Sequence, residues 1–158
     1  MIEKTNVMRI LDQKKIKYIP HEYPCKNGEA PDGVSVAEAL GKSTAEVFKT
    51  LVTKGSSKKY YVFVIPSDAH LDLKKSAKAV GEKSIEMIKQ KELLPLTGYI
   101  HGGCSPIGMK KPFKTVFDLS VESLSSVTVS AGKVGRQIEC EPDSLLKLVG
   151  ASVADITV

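Results

Sequence analysis

The sequence predicts a mixed α+β domain, a curled and partly barrel-like mixed sheet surrounded by helices. Three observations carry that expectation. Helical and strand-like segments intermix without a regular βαβα order, which argues against a doubly wound parallel sheet. The clearest strands form a hairpin pair, residues 47–52 and 60–65, β-branched and aromatic on either side of the polar turn Gly55-Ser56-Ser57. With 158 residues, 42% hydrophobic and 26% charged, the chain is expected to be one domain, residues 1–158, whose core needs no disulfide or metal staple.

The elements follow in order. Residues 6–15 set Val7, Ile10, Leu11 and Lys14 at helical spacing behind a Thr5 or Asn6 cap. Residues 17–23 alternate like a strand, and the stretch 27–33, with two glycines and a proline, reads as an exposed loop able to close over a pocket. Ser35 is expected to cap a short helix through Ala37, Ala39 and Leu40 that stops at Gly41, with Ser43 or Thr44 capping a further turn. Beyond the hairpin, residues 72–80 form an amphipathic helix ended by Gly81, and residues 84–94 read as another helix up to Pro95. A glycine-rich loop at 102–108 leads to short strands at 115–119, 127–131 and 137–139. Pro142 opens the last helix, whose Leu145, Leu146 and Val149 precede Gly150.

Charge narrows the partners. Twenty-three basic against 18 acidic side chains leave a net +5, which suits an anionic partner. Arg9 and Arg136 are the only arginines and tryptophan is absent, so lysine-to-phosphate attraction with little base readout is the expected mode toward a polynucleotide. No apolar run approaches the roughly 18 residues that cross a bilayer. The N-terminus lacks a charged segment followed by an apolar one, so the expected location is cytoplasmic, with no membrane partner. Cys25, Cys104 and Cys140 are odd in number and widely spaced, a poor disulfide framework, and are expected as reduced thiols.

Three places in the sequence invite chemistry. Lys49 lies in a near-continuous apolar strand, where an ammonium snorkels to solvent, pairs with a carboxylate or serves a site. The loop Gly102-Gly103-Cys104-Ser105-Pro106-Ile107-Gly108 is either a plain turn or one whose glycines let backbone N–H groups approach a carbonyl or anion. Residues 129–136 run from a strand into a glycine-and-cation turn whose spacing differs from the P-loop pattern, so a hairpin turn is the expectation. His101 and Cys104 are three residues apart, yet the further ligands of a zinc site are missing and no metal or other cofactor is expected. A Cys104 thiol hydrolase needs His21, His70 or His101 to reach it in space. The lysines at 74, 75, 78, 89 and 91 read as solvated faces.

Taken together, these segments resemble the YbaK/EbsC family of free-standing aminoacyl-tRNA editing proteins, relatives of the editing domain inserted in bacterial prolyl-tRNA synthetases. The resemblance rests on four ordered blocks: Val47-Phe48-Lys49-Thr50-Leu51; Leu71-Asp72-Leu73-Lys74-Lys75; Gly98-Tyr99-Ile100 leading into the loop 102–108; and Ser130-Ala131-Gly132-Lys133 before Gly135. It implies that Lys49 and Gly102 are the catalytic positions, with Tyr23, Thr50, Gly103 and Ser130 binding substrate and no metal involved. It also implies an aminoacyl-tRNA acceptor end as substrate and prolyl-tRNA synthetase as partner. Two departures leave the amino acid open: Pro31-Asp32 stands where Cys-specific members carry an aromatic, and Gln137 where a small or acidic polar residue is usual.

The implied activity is clearance of Cys-tRNA(Pro), and of Cys-tRNA(Cys), by attack of the substrate's own thiol on its ester. Hydrolytic editing of Ala-tRNA(Pro) by a positioned water and a non-catalytic aminoacyl-tRNA binding module are the alternatives. Such a second test is needed because a pocket distinguishes one methylene by only ~1–3 kcal/mol, too little to exclude cysteine from a proline site. A domain with a radius of gyration of ~15 Å cannot wrap a tRNA, so tRNA identity is expected to come from the partner.

Overall fold

Strand β3 (Tyr60–Pro66) decides the architecture, because its run Tyr-Tyr-Val-Phe-Val-Ile-Pro is apolar on both faces and so has to be central. In the computed structural model of the chain, which describes residues 3–25 and 31–158, β3 is almost wholly buried at the middle of a five-stranded sheet. The order is β4-β2-β3-β5-β8. Strand β2 (Phe48–Gly55) pairs antiparallel with β3, from Phe48 opposite Pro66 to Lys54 opposite Tyr60. Strands β5 (Lys114–Asp118) and β8 (Ser152–Ala154) continue in parallel, while β4 (Ile85–Met87) pairs antiparallel with the far end of β2.

A second, antiparallel sheet has the order β1-β7-β6, from β1 (Tyr18–Glu22), β6 (Val127–Ser130) and β7 (Arg136–Cys140). One core fills the space between the sheets. Val62, Val64 and Phe117 meet Val127, Val129 and Ile138 there, closed by Val7, Met8 and Leu11 of helix α1 (Asn6–Gln13) and Leu145 of helix α5 (Pro142–Val149). Phe63 and Ile65, on the other face of the large sheet, pack on Ala77 of helix α3 (Leu73–Val80). The mixed α+β class is as expected, but no closed barrel forms among the described residues. The two sheets touch through a single bridge, Val47 with Thr128, where the Thr128 N–H donates to Glu46 O at 2.9 Å. Beyond it β2 keeps its ladder with β3 and β6 keeps its own with β7, and no further bridge joins them among the described residues.

Most helix boundaries obey the sequence. Thr5 caps α1, accepting from the Met8 N–H, and Asp72 caps α3, which ends at Gly81. Two expectations fail for identifiable reasons. Helix α2 (Gly33–Ala39) is capped by Asp32 and not by Ser35, whose N–H donates to Asp32 Oδ1 at 2.7 Å. A carboxylate at the positive end of a helix is the better acceptor, so the helix starts earlier. The helix expected over 84–94 is instead β4 followed by helix α4 (Gln90–Thr97), because the open edge of β2 recruits Ile85–Met87 into the sheet. Pro95 lies inside α4. The 3₁₀ turn Leu119–Ser123 and strand β8 had no clear sequence signal. Residues 27–30 of the predicted loop at 27–33 lie outside the described residues. No helix among the described residues is long and apolar enough to cross a membrane.

One ion cluster fastens the region after α2 to the small sheet. Glu139 on β7 receives Lys42 Nζ at 2.9 Å, His21 Nε2 at 2.8 Å and the Ser126 hydroxyl at 2.8 Å. Burial alone would raise the Glu139 carboxyl, but hydrogen bonds from Lys42, His21 and Ser126 hold it at about 2 against an ordinary 4.5. A depressed folded-state pKa contributes stability above the unfolded value and loses it as pH falls through the folded one. Urea midpoints of the wild type are therefore expected to fall from pH 4.5 toward 2. Glu139→Gln should cost about 1–3 kcal/mol at pH 7 and progressively less as the pH falls toward 2. Parallel pH profiles for the two proteins would refute the assignment.

Candidate functional site

A cavity of about 360 Å³ lies between the start of β2 and the β6–β7 wall, within the range of small-ligand sites. Strand β4 covers β2 only from Thr53 to Gly55, so residues 48–51 keep a free edge. Both faces of that edge reach the cavity, Lys49 and Leu51 from one and Phe48 and Thr50 from the other. Tyr23 and Val36 form another wall, His101 and Gly102 come from the loop after α4, and Ser130 and Gln137 from β6 and β7. Larger hollows of about 560 Å³ beside Asp118 and 510 Å³ beside Tyr60 are more open to solvent.

Lys49 faces Ile65 across the ladder and is half-buried. Among the described residues its ammonium makes no hydrogen bond or ion pair. Loss of water lowers its pKa from the usual lysine value, and Asp68 opposes that only through space. Of the three fates open to a strand lysine, carboxylate pairing is not the one observed.

The loop at 100–103 is a β-turn in which Gly103 N–H donates to Ile100 O at 3.0 Å and Gly102, in third position, has φ +84°. That angle is the type II signature and suits glycine. The Gly102 N–H has no backbone partner among the described residues. Gly103 does not line the cavity but permits close approach behind it, since a Cβ there would sit 3.1 Å from Val134 N and 3.3 Å from Lys133 C. The glycine-rich loop and the predicted hairpin turn at 129–136 therefore pack directly on each other, and both feed the cavity that Lys49 enters.

Its polar lining is unusually unsatisfied. Among the described residues Thr50 Oγ1 and Gln137 Oε1 are buried with no hydrogen-bond partner, and Ser130 Oγ accepts from the Gly132 N–H at 3.1 Å, which leaves its own proton to donate. Of the sequence-predicted site residues, Lys49, Gly102, Tyr23, Thr50 and Ser130 line one cavity. Asp32, named with Pro31 only as a departure from the family pattern, lines it too, and so does Leu93, which was not anticipated. The Asp-Gly-Val-Ser spacing of a helix cap was the available signal for Asp32; Leu93 had none once 84–94 was read as one continuous helix.

Cys104 also borders the cavity, yet burial pushes its thiol up to about 12, only the Thr97 hydroxyl pulling the other way. His101 is exposed and makes no hydrogen bond to it, and His21 is bonded to Glu139. A thiol so protonated and without a base is a poor nucleophile. Among the described residues no group of three His, Cys, Asp or Glu is arranged to hold a metal ion.

Comparison with known proteins follows the same geometry. A family model described as an aminoacyl-tRNA editing domain matches residues 29–148. An Enterococcus faecalis protein provisionally named Cys-tRNA(Pro)/Cys-tRNA(Cys) deacylase EbsC is 46% identical over 155 residues, covering 98% of this chain and 94% of that one. A proline–tRNA ligase of Trichlorobacter lovleyi is 26% identical over 73% of this chain, which spans 22% of that longer protein. A crystal structure provisionally described as a trans-editing enzyme for prolyl-tRNA synthetase superposes with TM-score 0.82 at 25% identity, covering 99% of each chain.

Thiol labelling at pH 8 tests the electrostatics of Cys104. A thiol with a pKa of about 12 holds only about one part in ten thousand as thiolate there. Cys25, half-buried, is expected to react first, with Cys104 and Cys140 following only on unfolding. Rapid modification of Cys104 in the native protein would return it to consideration as a nucleophile.

Proposed function

This chain belongs to the aminoacyl-tRNA editing domain family, and we propose that it is a trans-editing deacylase clearing Cys-tRNA(Pro), with Cys-tRNA(Cys) as a second substrate. Lys49 carries the reading. It is a partly desolvated ammonium with no bonded carboxylate among the described residues, lining the same small cavity as Gly102 and three unsatisfied or half-satisfied hydroxyl and amide groups. A cation in that condition is suited to an anion or to a carbonyl oxygen gaining charge.

The step is intramolecular in the substrate. The cysteinyl sulfur attacks its own ester carbonyl, a C–S bond forms, the C–O bond to the ribose breaks, and the thiol proton passes through solvent to the departing oxygen. The products are tRNA with a free terminal hydroxyl and a thiolactone. Holding thiol and carbonyl in a near-attack geometry is worth on the order of 7–11 kcal/mol, so orientation suffices and no enzyme nucleophile is called for. Lys49 stabilises charge on the attacked oxygen or holds a terminal phosphate, and the Gly102 N–H fixes the aminoacyl group. Tyr23, Thr50 and Ser130 contact the substrate, while Gly103 keeps the loop seated so that Gly102 can act. The high thiol pKa of Cys104 suits a reaction in which that residue takes no part. The whole chain acts as one editing unit, in the cytoplasm, on the acceptor end of tRNA, beside a prolyl-tRNA synthetase that supplies tRNA identity.

Deacylation of Cys-tRNA(Pro), Ala-tRNA(Pro) and Pro-tRNA(Pro) tests this directly. The wild type is expected to release thiolactone from the cysteine substrate alone, and Lys49→Ala to lower the rate about 100-fold or more. The charged form of Lys49 is the active one, so the rate above background hydrolysis should be lost as pH rises, with a midpoint below the ~10.4 of an ordinary lysine. Free alanine without thiolactone would move the chemistry to positioned-water hydrolysis. No deacylation of any of the three would make the chain a binding module.

A further inference from the structure

We propose that Gln137 reads the free α-ammonium of the aminoacyl ester, so that the cavity accepts aminoacyl groups and refuses N-acylated ones. The inference rests on the deacylase reading only for the class of substrate. Gln137 is 5% exposed, sits on β7 in register with Ser130 on one side and His21 on the other, and lines the cavity. Among the described residues its Oε1 has no hydrogen-bond partner, nor does Thr50 Oγ1 in the same cavity. Buried acceptors left in this state are costly, and a bound ligand that brings N–H donors removes the cost.

An aminoacyl ester brings one strong multiple donor, its α-ammonium, with three N–H bonds. Like charge keeps that group away from Lys49, which leaves the wall built by β6 and β7. The cations near that wall are engaged elsewhere. Lys42 pairs with Glu139, and Arg136 donates to the Glu3 carbonyl oxygen and lies 3.5 Å from a Glu22 carboxylate oxygen. The carboxylates are engaged as well, Glu139 with Lys42, His21 and Ser126, and Asp32 with the Ser35 N–H at an exposed helix cap. The amide oxygen of Gln137 is therefore the free buried acceptor, with Thr50 Oγ1 beside the same ligand. A ligand whose nitrogen is acylated brings one N–H in place of three and no charge, and it carries extra bulk into a cavity of only about 360 Å³. Chains ending in a blocked residue, such as peptidyl or formylated aminoacyl groups, are thereby spared cleavage.

The test uses the full-length protein and two non-cleavable probes, 3′-deoxy-3′-(cysteinylamino)adenosine and its N-acetyl counterpart, with binding read by calorimetry. The wild type is expected to prefer the free amine about 10- to 100-fold. Gln137→Met should abolish the preference with the urea midpoint kept, Gln137→Glu should increase it, and Asp32→Asn should leave it unchanged. If Gln137→Met does not fold, the gain in Gln137→Glu carries the test. Equal or absent binding of the two probes by the wild type, a preference untouched by both Gln137 variants, or one lost only in Asp32→Asn would overturn the inference. Deacylation of Cys-tRNA(Pro) and N-acetyl-Cys-tRNA(Pro) is run alongside. Selective binding without any deacylation would sink the catalytic reading and leave this one standing, and deacylation without probe preference would do the reverse.

Discussion

The site depends on two sheets that, among the described residues, meet at one bridge and pair no further. Val47 and Thr128 hold β2 against β6 for a single residue pair, and the next residues of each strand are committed to other partners. Were the pairing to continue, Lys49 and Thr50 would lie in a closed ladder and no cavity would form beside them. Were the bridge absent, the β6–β7 wall that carries Ser130 and Gln137 would not be held against β2. The short reach of β4 matters for the same reason, since it stops at Thr53 and leaves the neighbouring edge of β2 open. The packing of Phe48 on Phe117, ring centroids 6.3 Å apart, anchors that edge to the common core.

This arrangement makes the position of Lys49 energetically meaningful. An ammonium deprived of part of its hydration and, among the described residues, given no bonded carboxylate destabilises the empty protein, and Asp68 offsets this only through space. The unsatisfied oxygens of Thr50 and Gln137 add to the same strain. Two carboxylates elsewhere are well supplied with donors, Glu139 by three groups and Glu82 by serine and tyrosine hydroxyls. Among the described residues Ser76, Thr128 and Arg136 also bury a polar atom without a hydrogen-bond partner, but Thr50 and Gln137 share one cavity with an unpaired ammonium, and that conjunction marks a place where a ligand completes the hydrogen bonding.

What could be read from the sequence divides along physical lines. Lys49 was visible because a charge inside an apolar strand violates local pattern, and Gly102 because adjacent glycines imply a backbone that needs positive φ or close approach. The structure assigns one of those needs to each glycine. Helices α1, α3 and α5 were legible from spacing and caps. The segment 84–94 was misread because its pairing partner is the distant end of β2, and the window's own composition favours a helix. The two-sheet layout was equally hidden, since a hairpin pattern does not say which strand edges later meet. Gln137 stood out only as a departure from a family pattern; that it turns into the cavity follows from β6–β7 register, which the sequence does not display.

A small fold can carry this activity if the discriminating group belongs to the substrate. On the proposed reading the nucleophile is the cysteinyl thiol, so proline and serine esters survive by chemistry even when they fit. The protein is then free of the demands that a catalytic nucleophile imposes, namely an activated thiol or hydroxyl, a base to deprotonate it and a third group to orient the base. Consistent with that freedom, Cys104 stays protonated in an apolar setting and His21 serves a structural carboxylate. What remains for the chain to do is to hold a charged ester in one geometry, which takes a cation, a backbone N–H and neutral acceptors. Those are groups that a strand edge, a glycine turn and a hairpin supply cheaply, and they are the three elements that the single bridge between the sheets draws together.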